Sequence, residues 1–146
     1  MSKAVASAAQ MVRILIPAGK AGPGPPIGPV LGARGVKAMD FCKSFNARTA
    51  HLELGTPIPT VLTIQSDKTY TFVTKTPPTS WLLMRSVGLA KASGASPGQV
   101  ATISLKHIYE IARIKKSDDH LKHIELQSLA RSVVGTAHAM GIRVIP

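Results

Sequence analysis

Three short stretches bring together residue types that could do chemistry. "DDHLKH" offers Asp118, Asp119, His120 and His123 as metal ligands, but Lys115, Lys116 and Lys122 surround them and oppose a cation. A solvated cluster at a helix end is the better reading, and no metal is expected there. Gly19-Lys20 lacks the G-x-x-x-x-G-K-[ST] spacing of a phosphate-binding loop, and Ala21 stands where a hydroxyl is required. Cys42 is the single cysteine, which excludes an intramolecular disulfide and a multi-Cys zinc site. It falls in the apolar stripe of a helix and reads as a small buried hydrophobe rather than a nucleophile. No nucleophile–base pair is recognisable, so neither an enzyme nor a cofactor is expected. A small metal- or nucleotide-dependent enzyme stays as the alternative class.

The charge points elsewhere. Eighteen Lys+Arg against seven Asp+Glu give the 146 residues a net charge of +11, which attracts a polyanion, either nucleic acid or an anionic membrane surface. No apolar run approaches the roughly 20 residues of a spanning helix, so a soluble protein is expected. Hydrophobic residues make up 45% but aromatics only 4%, so the core has to be aliphatic. The first acidic residue is Asp40, and an acid-free start with Ser and Ala has the composition of an organellar targeting segment. Val12 to Ile16 already alternates like a strand, which leaves little room for a removable peptide.

The sharpest local signal lies in the segment from Leu126 to Met140. At helical spacing Leu126, Leu129, Ala130, Val133, Ala137 and Met140 share one side. The opposite side centres on Gly135, with Ser128, Ser132 and Ala139 near it and Arg131 and His138 flanking. Glycine inside a helix costs about 1 kcal/mol relative to alanine, so an exposed Gly135 needs a reason. A smooth strip of Gly, Ser and Ala edged by cations suits the wide, shallow RNA minor groove, which is read by shape and hydroxyl contacts. A helix–helix contact could use the same small residues.

These residues need elements to position them. Val12, Ile14 and Ile16 predict a first strand; Ala38, Phe41, Cys42, Phe45 and Thr49 predict a helix burying one face; "VLTIQ-SDK-TYTFVTK" predicts a hairpin. One helix over three strands makes a small α/β domain over residues 1–74. "KTPPTS", 75–80, reads as a semi-rigid proline hinge. Everything beyond, 81–146, reads as helical: a helix from Ser80, one capped by Ser104 with Leu105, Ile108, Tyr109 and Ala112 buried, and one ended by Gly141. The expected fold class is therefore α+β, a three-stranded α/β domain hinged to a three-helix domain. Between the first two helices "GLAKASGASPGQVATI" lacks a hydrophobic period and reads either as a solvated loop or as a basic segment that orders against RNA.

The stretch from Ala18 to Gly35 holds six glycines and four prolines. Ile27, Val30 and Leu31 predict a short apolar-anchored helical turn with Pro26 near its first position, leaving Pro23, Pro25 and Pro29 as a stiff exposed ridge of low conformational entropy.

"GPPIGPVLGARGV", "FCKSFNART", "TFVTKTPP" and "RSVVGTAHAMGI" resemble, in order, the motifs of ribosomal large-subunit protein eleven, the family at the base of the ribosomal stalk. "LKHIYEIARIK" is more similar to its mitochondrial branch. The resemblance implies rRNA of the GTPase-associated centre as partner, bound by Lys91, Ser93, Gly94, Ser96 and Gln99 of the loop, with Lys115, Lys116, Arg131, Ser132, Gly135, Thr136 and His138 beyond it. It implies that the Pro23, Pro25, Pro26 and Pro29 ridge docks translational GTPases, which carry out the GTP hydrolysis themselves. Stalk and stalk-base proteins are further implied partners; a membrane and a small-molecule substrate are not. The implied location is the mitochondrial matrix, with bacterial cytoplasm or plastid as alternatives, and an extraribosomal RNA-binding adaptor is the alternative function. His138 stands where bacterial members usually have arginine, a weaker phosphate partner when neutral, and Trp81 after the hinge is another departure.

Overall fold

The computed structural model describes residues 8–92 and 101–146. The chain splits into two compact units, Met1–Lys75 and Thr76–Pro146.

In the first unit β1 (Gln10–Pro17), β2 (Pro57–Ile64) and β3 (Tyr70–Thr74) form an antiparallel sheet in that order. The register sets Ile14 opposite Thr60, Ile16 opposite Ile58 and Leu62 opposite Phe72. Alternate residues of β2 are buried, as a period of two on a half-covered sheet requires. The covering elements are α1 (Ile27–Gly32) and α2 (Ala38–Arg48). Phe41, Cys42 and Phe45 of α2 meet Ile14, Ile16, Ile58 and Leu62 in one core with Ile27 and Leu31 of α1. The few aromatics concentrate here: the Phe41 ring meets those of Tyr70 and Phe72 edge-on, at 6.0 and 5.3 Å. Thr49, read as part of the apolar stripe, is buried but works as a polar group, donating to the Phe45 carbonyl.

The second unit contains α3 (Thr79–Val87), β4 (Ala101–Ser104), α4 (Leu105–Lys116), a 3-10 turn (Asp119–Leu121), α5 (Leu126–Ala139) and β5 (Ile142–Ile145). The three expected helices are present, but this unit is not purely helical. Ala101-Thr102-Ile103, read as loop, and the C-terminal extended tail pair as a two-stranded parallel ladder, Ala101 opposite Ile142 and Ile103 opposite Val144. Four-residue strands are too short to show a period, which is why the pattern was invisible. Gly141, at φ +78°, turns the chain from α5 into β5.

The second helix is rotated from the expected phase. Ile108, Ile111 and Ala112 are buried, while Leu105 and Tyr109 are about half exposed. Apolar residues at 105, 108, 109, 111, 112 and 114 cover too much of the helix circumference for periodicity to select the inner face. Ser104 occupies the cap position, yet its hydroxyl pairs with His107 Nδ1 at 2.8 Å instead of a backbone N–H.

Candidate nucleic-acid interface

Helix α5 divides as its sequence dictates. Leu129, Val133, Ala137 and Met140 are buried against Ile108, Ile111 and Ala112, and Gln127, Ser128, Arg131, Ser132, Gly135, His138 and Ala139 are exposed. Arg131, Gly135 and His138 follow one another at i, i+4 and i+7, so the two side chains flank the glycine along the outer face. A Cβ built on Gly135 meets no atom within 4 Å. Among the described residues packing therefore gives no reason for glycine here, and the helix–helix reading of the strip finds no support among them. Thr136 is half-buried and turns its hydroxyl back onto the Ser132 carbonyl at 3.1 Å, which limits it as an RNA donor. On its other flank Arg131 lines an apolar groove with the displaced Leu105 and Tyr109 and with Val134.

The remaining cations separate. Lys91 is exposed after α3, and Lys116 is half-buried at the end of α4. Ser93, Gly94, Ser96 and Gln99 lie outside the described residues. Lys115 serves a different purpose from the surface role expected of it. Its side chain is 16% exposed, its ammonium lies 3.5 Å from Asp118 Oδ2, and it donates to the Pro77 carbonyl at 3.3 Å. Asp118 is likewise not part of a solvated cluster: it is 8% exposed and accepts from the Thr76 N–H at 2.9 Å and the Thr76 hydroxyl at 2.7 Å. These contacts fasten the start of the proline stretch to the second unit, and Thr79 and Ser80 already belong to α3. Asp119 stays exposed, its carboxyl held below the usual range by the hydrogen bond and the charge of Lys122. Among the described residues no three His, Cys, Asp or Glu side chains group to hold a metal.

In the first unit Pro23, Pro25, Pro26 and Pro29 are all exposed, while Ile27 and Leu31 are buried and Val30 packs against the core. The ridge is held from below. Asn46 on α2 accepts from the Ala21 N–H at 3.0 Å and donates to the Ala21 carbonyl at 3.2 Å, and Thr49 accepts from the Gly19 N–H. Gly28 is obligatory, since a Cβ there would lie 2.1 Å from the Pro23 carbonyl oxygen. Asn46 escaped sequence reasoning because nothing marks a helix asparagine as the partner of a loop 25 residues away.

Comparison with known proteins agrees with this division. Residues 12–70 match the family model described as ribosomal protein L11, N-terminal domain, and residues 75–144 the one described as ribosomal protein L11, RNA binding domain. Fold and match together define a non-enzymatic structural constituent of the ribosome that binds rRNA. The chain is 51% identical over 137 residues to the large ribosomal subunit protein uL11m of Schizosaccharomyces pombe, covering 93% of this chain and 95% of that protein. It belongs to the ribosomal protein L11 family.

Proposed function

We propose that the chain works in the large subunit of the mitochondrial ribosome, at the stalk base, where its second unit binds the rRNA of the GTPase-associated centre. The exposed face of α5 lies along an RNA minor groove, with Ser132 and Gly135 allowing close approach and Arg131, His138, Lys91 and Lys116 supplying polar and cationic contacts. The observation that carries this reading is Gly135, a helix-interior glycine facing open space among the described residues. Such a residue is retained at a cost to the helix when something outside the chain must come close. Ser93, Gly94, Ser96 and Gln99 contribute further contacts to the same RNA. The two units act as separate domains joined through the proline stretch, and the Pro23–Pro29 ridge presents a preformed surface to elongation factors and stalk proteins. Its fixation by Asn46, Thr49 and Gly28 supports a rigid docking surface over a flexible linker.

Chemical footprinting of the chain on large-subunit rRNA, together with co-sedimentation with large subunits, tests the reading. Protection is expected on the GTPase-associated segment and to vanish in Gly135→Leu. Protection of other RNA, without co-sedimentation, would favour an extraribosomal role.

A further inference from the structure

Two cations from separate segments of the first unit converge on one recess of about 220 Å³. Arg34 comes from the loop after α1 and Lys68 from the turn between β2 and β3, with Gln10, Gln65 and Ser66 beside them. Arg34 is pre-oriented: its Nε donates to Gln10 Oε1 at 3.0 Å and its Nη1 to the Val30 carbonyl at 2.9 Å. Those bonds fix the guanidinium plane and leave Nη2 without a partner among the described residues.

Lys68 is held in place at a conformational cost. Its φ is +66°, the sole left-handed non-glycine residue among those described. Its N–H donates to the Gln65 carbonyl at 3.1 Å, and the neighbouring Asp67 is committed to the turn, accepting the N–H and hydroxyl of Thr69. Opposite, Gly35 (φ +71°) leaves room: a Cβ there would sit 3.4 Å from Lys68 Cδ and Cε. The lysine stem thus lies over the loop that carries Arg34. Neither cation pairs with a carboxylate among the described residues.

Two cations lining one hollow, with no carboxylate partner among the described residues, suit an anion arriving from outside. A fixed guanidinium, an ammonium, two amides and a hydroxyl around a small open hollow match the oxygens of one phosphate. We infer that this recess is a phosphate site of the first unit, gripping a backbone phosphodiester of the same RNA that the second unit binds. The inference rests on rRNA binding by the chain. It adds a contact by residues outside both the α5 face and the proline ridge.

The test uses the full chain and a large-subunit rRNA fragment, measuring affinity against salt concentration. Wild type, Arg34→Gln, Lys68→Gln and the double variant are compared, with thermal melting as the check on folding. Each lost phosphate contact makes the slope of log K on log salt shallower by about 0.7–0.9. Because both cations grip the same phosphate, the double variant is expected to lose about 0.7–0.9 from the slope at an unchanged melting temperature. A folded double variant with the wild-type slope overturns the inference, while a wild-type chain that does not bind the fragment overturns the parent reading along with it. Tripolyphosphate is titrated in parallel, following the amide resonances of Gly35 and Lys68. Shifts there combined with an unaltered RNA slope would make the recess a site for a small polyphosphate and would refute the RNA assignment.

Discussion

Replacing Gly135 by alanine and by leucine drives stability and RNA affinity in opposite directions. Gly135 lies four residues before the end of α5, inside its hydrogen-bonded run, and a Cβ there would meet nothing beyond the helix's own backbone within 4 Å among the described residues. A side chain there adds no clash within the protein, so the variants gain the helix-propensity difference of about 0.8–1 kcal/mol. For a unit of this size that is roughly a 4–8 °C rise in melting temperature. A leucine on a helix also leans toward the N-terminal turn, so it would cover the strip beside Arg131 and Ser132. If two hydrogen bonds to ribose or phosphate are lost at about 1–1.5 kcal/mol each, affinity falls by 2–3 kcal/mol, about 30- to 150-fold. Alanine, with one methyl, should fall in between. Filter binding to the rRNA fragment and circular-dichroism melting, run on the same preparations, read both quantities. A leucine variant that melts higher yet binds like wild type would show that nothing approaches Gly135, and the assignment of the α5 face would fail.

The clamp at the start of the proline stretch gives a second test. Asp118→Ala strands the Lys115 ammonium in a largely buried place and should cost about 3 kcal/mol, with part recovered in Asp118→Ala/Lys115→Met; equal melting of all three would deny the clamp. On the ridge, Pro23→Ala/Pro29→Ala should cost about 1 kcal/mol or less per site and leave rRNA binding intact. Factor-dependent GTP turnover on reconstituted ribosomes should drop. Burial pushes the Cys42 thiol pKa up, so the unfolded chain releases this proton at lower pH than the folded one. The stability tied to it is fully present below the unfolded thiol pKa of about 8.5 and is lost as pH rises through the folded value. Cys42→Ala should flatten that alkaline fall in the melting temperature of the first unit.

What the sequence disclosed follows from what a local pattern can encode. Phe41, Cys42 and Phe45 recur with the helical period over a regular element, so the buried face of α2 was legible from spacing alone. The outer strip of α5 was legible for the complementary reason: Gly135 breaks helix preference where no packing asks for it. Helix α4 is the opposite case. Its apolar residues nearly encircle it, and only packing within the second unit's core decided that Ile111 goes in and Tyr109 out. The parallel pairing of β4 with β5 joins segments some forty residues apart and leaves no mark in either short strand.

The polar anchors are the hardest class to read, and they set the working geometry. Asp118 and Thr76 are 42 residues apart, and "DDHLKH" gives no sign that one of its two aspartates is buried. Local charge made Lys115 resemble its neighbour Lys116, although one ammonium serves the chain's own fold and the other is free of any ion pair among the described residues. A basic composition counts both alike, so the total of 18 Lys+Arg overstates the cations available to RNA. Arg34 and Lys68 show the converse, because each looks like an ordinary surface cation until two turns bring them to one recess. Affinity for a polyanion is thus distributed by long-range hydrogen bonding, which decides cation by cation whether a charge is spent inside the protein or presented to the phosphates.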